Sequence, residues 1–319
     1  MATRVMLADN KPISDELIQM HLDECGFLWG QPKIDGMRVF VNDDALPTSR
    51  SGKEFKHRYL RQWTQAHPSL RGLDGEVVAG HTYTEDTFRD SMSGIRAEEG
   101  DPEFTYYMFD YTENDYHKYS YKDRMNYLAA IRSQFGEFQQ IEGGFHCRLL
   151  VCPTQTLTTL LEVQEFEQKC LADKWEGAML RRPDRPYKFG RSTNRGGELV
   201  KLKRFVDAEA IVVGFEPWYI NENEATESAL GYTVRSSHKD GKIPIERLGA
   251  LSVELLSDRS VKFKIGVMAG VTHTDRDRLW ADRDALIGRI CKFKHQGYGG
   301  GYDAPRAPVF LVWRLDSEF

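Results

Sequence analysis

Apolar and polar positions change their period several times along the chain, and each change predicts a different element. Ser14 reads as the N-cap of a short amphipathic helix that runs to Cys25 and is stopped by Gly26. The stretch WGQPKIDGMRVFVND, residues 29–43, sets Lys33, Asp35, Gly36 and Arg38 between two apolar runs. A half-buried strand alternates, and a surface loop has no need of Val39-Phe40-Val41 directly after it. These charges are therefore expected at the lip of something buried. Strand patterns recur at 73–80 (LDGEVVAG) and 104–111 (FTYYMFDY), and helical periods at 119–135 and 156–173. Pro183, Pro186 and Gly196-Gly197 mark 183–197 as a loop. In 198–205 Leu199, Lys201 and Lys203 share one strand face, with Val200 and Leu202 on the other.

Beyond Phe205 the helical period nearly disappears. Five short strand patterns and one helix (275–284) follow, which suits a small closed barrel of the oligonucleotide-binding type. The predicted class is α+β, with antiparallel sheets and flanking helices over 1–205 and the barrel over 206–319. A polar insertion at 216–248 interrupts the barrel, with Asp240-Gly241 as a hairpin-turn signal. Such a long loop in a compact barrel is usually functional or disordered. Arg235, His238, Lys239 and Lys242 near its tip point to nucleic acid.

Composition narrows the class without identifying it. The chain has 319 residues, 40% hydrophobic and 29% charged, an ordinary globular balance that is long enough for two domains. No secretory signal and no membrane span is expected, and the predicted location is cytoplasmic. Five cysteines without CxxC spacing predict reduced thiols and argue against a zinc site. Net charge is −5, yet residues 181–204 hold nine Lys and Arg against Asp184 and Glu198. That cluster is expected to form a phosphate-binding surface.

Lys33-x-Asp35-Gly36-x-Arg38 gains weight from the stretches that follow it in order: SRSGK (49–53), LDGEV (73–77), YYMFDY (106–111), EGAMLRR (176–182) and ELVKLK (198–203). The series resembles the collinear motifs of covalent nucleotidyltransferases, that is ATP-dependent DNA ligases, RNA ligases and mRNA capping enzymes. PKIDGMR, YYMFDY, RRPDRPYKFGRST and GYTVRSSHKDGK are similar to stretches of the small two-domain viral DNA ligases.

The resemblance implies ATP and Mg²⁺ as cofactors, with Mn²⁺ an alternative, and nicked duplex DNA as the partner of a monomer. Lys33 takes the adenylyl group, which passes to the 5′-phosphate of the nick before the 3′-hydroxyl expels AMP. Glu176 resembles the carboxylate that positions the metal, Glu76 the one that binds ribose, and Phe109 the aromatic under adenine. Gln31, next to Pro32, stands where adenine is read. Asp35, Arg38 and Arg50 resemble residues bracketing AMP and the nick phosphate, and Arg191 a phosphate contact. Lys201 and Lys203 are expected to hold the α-phosphate and to keep the Lys33 amine uncharged. Arg314 and Asp316 fall in the motif that orients pyrophosphate, where Ser317 stands in place of its usual lysine. The rival expectations are an RNA ligase and a GTP-dependent capping enzyme. A binding module with a decayed site fits poorly with Lys33, Glu76, Glu176, Lys201 and Lys203 all being present.

Overall fold

Residues 5–84, 86–202, 206–227, 233–235, 239–295 and 304–314 are described by a computed structural model of the chain. The chain divides into two units, Met1–Lys203 and Arg204–Phe319. In the first, α1 (Asp15–Cys25) leads into β1 (Leu28–Pro32), β2 (Met37–Val41) and β3 (Pro47–Thr48), and then α2 (Arg58–Ala66). There follow β4 (Leu73–Ala79), α3 (Thr87–Gly94), β5 (Phe104–Tyr111), α4 (Tyr121–Phe135), β6 (Phe138–Gln140) and β7 (His146–Val151). The unit ends with β8 (Gln155–Leu157), α5 (Leu160–Ala172), β9 (Ala178–Arg181) and β10 (Val200–Leu202).

The helix boundaries follow local chemistry. Ser14 accepts from the Leu17 amide and Gly26 takes the left-handed conformation at the other end of α1. The helical period expected from 156 begins instead at Leu160, because Thr159 and Glu162 form a capping box there. That box leaves 155–157 free to pair with β1 as β8.

Two sheets carry the unit. One has the order β10-β9-β1-β8, all antiparallel. Leu28, Ala178, Leu180, Val200 and Leu202 pack against Ile18 and Leu22 of α1 and Val163 and Phe166 of α5. Alternation sends Trp29, Gln31, Met179, Arg181 and Lys201 to the opposite face. The second sheet, β3-β2-β4-β5-β7-β6, buries Val39, Val77, Tyr106 and Leu149 with Leu60 and Trp63 of α2 and Leu128 of α4. Its other face carries Arg38, Glu76 and Tyr107, which are register partners across β2, β4 and β5.

One irregularity reshapes that face. The register steps from Asp74–Asp110 to Gly75–Met108, so Phe109 is an extra residue in β5. Such a bulge brings two consecutive side chains to one side of a strand. Phe109 and Asp110 accordingly both meet Arg181.

In the second unit β11 (Val206–Asn221), β12 (Ala225–Glu227), β13 (Thr233–Arg235), β14 (Lys242–Leu255), β15 (Asp258–Ile265) and β16 (Val267–Met268) precede α6 (His273–Ala281), β17 (Ile290–His295) and β18 (Val309–Trp313). The sheet order is β15-β14-β11-β17-β18-β16. β15 and β16 stand at opposite edges but are separated only by Gly266, so one bent strand closes the sheet on itself. Arg276 of α6 ties that corner by donating to the carbonyls of Leu248, Gly249 and Gly266. Over its described residues the 216–248 insertion, expected as a polar loop, is largely paired strand. β11 and β14 stay paired out to Asn221–Lys242, through register shifts on either side of Pro217, with Trp218 opposite Ile245 and Ile220 opposite Ile243. These bulky and β-branched residues favour the extended ribbon. Asp240-Gly241 lies in a 3-10 turn, Lys239–Gly241, instead of closing a two-residue hairpin.

Gly75 sits where the sheet leaves no room for a side chain: a Cβ there lies 2.5 Å from the Tyr107 carbonyl and closer still to the Tyr106 ring. Gly75→Ala is expected to destabilise the first unit by about 1–3 kcal/mol, as overpacking does, read as a lowered Tm in thermal unfolding. An unchanged Tm would contradict this packing.

Candidate active site

Lys33 leaves β1 at its end nearest the turn before β9. Its amide donates to the Gly177 carbonyl at 2.9 Å and its carbonyl accepts from the Glu176 amide at 3.1 Å. This reciprocal backbone pair brings the Lys33 ammonium against the Glu176 carboxylate. Ile34 plugs into a small apolar cluster with Val78, Tyr107 and Cys152. The Asp35 amide donates to the Tyr83 hydroxyl at 3.2 Å, and the Tyr83 ring stacks on Trp175 with centroids 3.7 Å apart. Both ends of the Lys33 loop are thus pinned to the segment that carries Glu176. Gly36 is needed for space, since a Cβ there would lie 2.5 Å from the Val77 carbonyl.

From the facing sheet come Arg38 and Glu76, directly opposite one another. Arg38 makes a bidentate pair with Asp74, Nε–Oδ1 at 2.9 Å and Nη2–Oδ2 at 2.6 Å. Its guanidinium also lies 5.0 Å from the Phe109 ring centroid. Asp74 has no exposed surface and accepts a third hydrogen bond, 2.6 Å, from the Tyr187 hydroxyl of the 183–197 loop. Burial pushes the Glu76 carboxyl up to about 7, against the pull of Lys33 and Arg38.

Behind Phe109 lies a second buried lattice. Arg124 and Arg181 both reach Asp110, with contacts of 2.6 and 2.7 Å, and none of the three is more than 2% exposed. Burial alone would raise the Asp110 carboxyl, but the two guanidinium groups hold it below the usual carboxylate range. The Arg181 guanidinium sits 4.5 Å from the Tyr121 ring centroid and 5.7 Å from that of Phe109. The Tyr121 hydroxyl donates toward the Phe109 carbonyl and Gln31 Oε1, and Gln31 Nε2 donates to Thr154.

Several expectations change here. The Lys33 amine was expected among cations, yet its partner is the Glu176 carboxylate. Gln31 is buried, and both ends of its amide are engaged inside the protein. The basic run 181–204 is not one phosphate-binding surface: Arg181 is committed to Asp110, and Arg182 to Asp184 and Glu24. Arg191 donates to the Ala8 carbonyl and Asn10 at 2.7 and 2.8 Å, which ties it to the N-terminal segment.

Lys201 faces the same side as Gln31 through Met179. Pro32 is a buried end of β1. Arg50 lines an open cavity of about 650 Å³ together with Arg38 and Glu76. In the second unit Arg314 is paired with Glu209. Lys203, His238 and Asp316 lie outside the described residues, as do the side chains of Arg235 and Lys239; Lys242 is exposed. Sequence reasoning missed Asp74, Asp110, Arg124, Tyr121 and Tyr83 as parts of the site. The signal for the two aspartates was a carboxylate next to apolar strand residues, beside Leu73 in LDGEV and between Phe109 and Tyr111 in MFDY.

Residues 6–203, more than half of the chain, match the family model of the ATP-dependent DNA ligase domain. The chain is 26% identical to Chlorella virus DNA ligase–adenylate, covering 98% of this chain and all of that one, with a TM-score of 0.51. Lig E DNA ligases, from a structure–function study of DNA binding with a minimal scaffold, share the fold at 20% identity and a TM-score of 0.62, with 98% and 100% of the two chains covered. A search of curated proteins returned no match. The motif series, the two-unit fold and the family match agree, and the chain belongs to the ATP-dependent DNA ligases.

Proposed function

We propose that Lys33 is the nucleophile through which this ligase seals 5′-phosphate/3′-hydroxyl nicks in duplex DNA. What carries the reading is the meeting of Lys33 and Glu176 across a reciprocal backbone pair. Nζ attacks the α-phosphorus of ATP, the bond to the β-phosphate oxygen breaks, and pyrophosphate leaves. The AMP then moves from Nζ to the 5′-phosphate of the nick, and attack by the 3′-hydroxyl expels it. An amine needs a free electron pair to attack, and an ordinary lysine near neutral pH is only about one part in a thousand deprotonated. Glu176 lies where it can accept that proton. Lys201, on the same sheet face as Gln31, is suited to hold phosphate oxygens.

Phe109 is the proposed platform for adenine, Glu76 the ribose partner, and Asp35, Arg38 and Arg50 the groups around AMP and the nick phosphate. Arg38 now covers Phe109, so this reading has it exchange Asp74 and the ring for phosphate when substrate arrives. For adenine readout the buried Gln31 amide favours the main chain next to Pro32 over the side chain. Arg191, held on the N-terminal segment, and Arg314, held by Glu209, keep their proposed phosphate roles only if ligand draws them from these partners. Asp316 and Lys203 stay in the proposal on the motif alone.

The donor set fits Mg²⁺. Glu176 and Glu76 offer hard carboxylate oxygens beside Lys33, and no group of three or more acidic, His or Cys ligands forms a cage among the described residues. Mg²⁺ is commonly held by one or two carboxylates plus substrate phosphates. Bound there, it would neutralise charge on phosphate oxygens.

For the second unit we propose an oligonucleotide-binding barrel. Support comes from the order of its elements, with α6 between the bent third strand and β17, and from the parallel pairing of β16 with β18. Its ribbon, 216–248, is the proposed clamp on DNA, with Arg235, His238, Lys239 and Lys242 toward phosphate.

Three outcomes check these assignments. Lys33→Ala should leave no AMP adduct when ATP-treated enzyme is weighed by mass spectrometry; an adduct on another side chain would overturn the nucleophile. Deleting 221–245 should weaken nick binding more than self-adenylation, and equal loss of both would remove the clamp. Glu76 holds a proton in the native state between pH 4.5 and about 7 that the unfolded chain has released. Stability from this group therefore falls as pH rises through that window. Glu76→Gln, fixed neutral, should shrink the drop in Tm between pH 5 and 8, and an undiminished drop would assign the pH dependence elsewhere.

A further inference from the structure

The cavity beside Arg38 holds more positive charge than the reactive phosphate requires. Arg50, Lys53, Lys56 and Arg96 line it with Arg38 and Glu76. Lys53 and Lys56 come from the segment after β3, and Arg96 from the chain just past α3. Among the described residues, the side chains of Arg50, Lys53, Lys56 and Arg96 have no carboxylate partner, although cations elsewhere on this acidic protein, such as Arg38, Arg124, Arg181, Arg182 and Arg247, are matched to Asp or Glu. Like charges gathered without counter-ions cost free energy through mutual repulsion, and a polyanion relieves that cost. Glu54 also lines the cavity, but its ion pair is with Arg61, at 4.0 Å, and five cations face two carboxylates there.

We infer that Lys53, Lys56 and Arg96 form a subsite for the backbone phosphates of the DNA strand that bears the nick 5′-phosphate, beyond the reactive phosphate itself. This rests on the proposed placement of that phosphate by Arg38 and Arg50. A nucleic-acid strand fits better than the triphosphate of ATP. Of the residues that must meet ATP, Lys201 lies in the other sheet and Lys33 and Glu176 in the loops before β2 and β9, whereas this cavity opens on the side of β2, β3 and α3. At about 650 Å³ it has room for more than a single phosphate group. The Ser49 and Ser51 hydroxyls on its wall add neutral donors of the kind that contact sugar–phosphate backbones.

The test uses the full chain carrying Lys53→Ala, Lys56→Ala and Arg96→Ala, singly and together. None of these residues belongs to the proposed adenylation machinery, so AMP transfer to Lys33 should keep its rate and its KM for ATP. Binding of pre-adenylated enzyme to a nicked duplex should weaken. The slope of log affinity against log salt should become shallower by about 0.9 per lost contact, or about 2.7 for the triple variant. Lys53→Arg, Lys56→Arg and Arg96→Lys should restore it. Neutral methylphosphonate linkages placed just 3′ of the reactive phosphate should weaken the native enzyme and leave the triple variant unaffected. A raised KM for ATP in self-adenylation would assign the cavity to the triphosphate. Unchanged nick affinity and salt slope would overturn the subsite. Loss of adduct at Lys33 in the native enzyme is a separate failure, of the nucleophile assignment.

Discussion

Two aspartates without exposed surface, Asp74 and Asp110, hold the first unit in the shape its chemistry requires. Each is a carboxylate that water cannot reach, and each is tolerated because guanidinium and further donors pair with it. Asp110 binds Arg124 from α4 and Arg181 from β9, so one carboxylate joins the six-stranded sheet, a helix and the four-stranded sheet. Asp74 binds Arg38 from β2 and Tyr187 from the 183–197 loop. Removing one partner from either lattice strands a buried charge, which is costly. The lattices meet at Phe109, whose ring has Arg38 at 5.0 Å and Arg181 at 5.7 Å.

This arrangement explains why the β5 bulge matters. Without the extra residue, strand alternation would place Asp110 on the face opposite Phe109, in the apolar core with Tyr106 and Met108. The bulge puts aromatic platform and buried carboxylate side by side. The price of the fold's precision here is Gly75, directly after the step in register, where no side chain fits.

The main elements were legible because their signals are local. Ser14 and Gly26 bracket α1, and alternation in 198–205 correctly separated Lys201 from Val200 and Leu202. The loop 183–197 reads from its prolines and glycines, and the order of Lys33, Glu76 and Glu176 reads from motif spacing. What the sequence withheld depends on distant pairing. A run of basic residues cannot announce that Arg181 faces inward to Asp110, 71 positions earlier, and Arg191 outward to Ala8. The capping box at Thr159, by contrast, was visible in the residues, and the helical period across 156–159 masked it. The 216–248 ribbon was misread for a related reason. Its polar composition suggested a loop, while Trp218, Ile220, Ile243 and Ile245 lie too far apart in sequence for their pairing to be read from either strand alone.

The sorting of charge finally separates structure from function within one sequence. Lysines and arginines that shape the fold have fixed protein partners: carboxylates, whether buried, as for Arg124, or at the surface, as with Arg247 and Asp277, or backbone carbonyls, as for Arg276. Lys33 belongs to none of these groups. Its pair with Glu176 is half-open, one partner each from two loops that the Tyr83–Trp175 stack holds together. An ion pair of this kind is easily exchanged, since an incoming phosphate can replace the carboxylate as counter-ion while the carboxylate takes the proton. The pinned backbone keeps the root of the Lys33 side chain in place during that exchange, so rigidity in the main chain and mobility in the charges are complementary parts of one site.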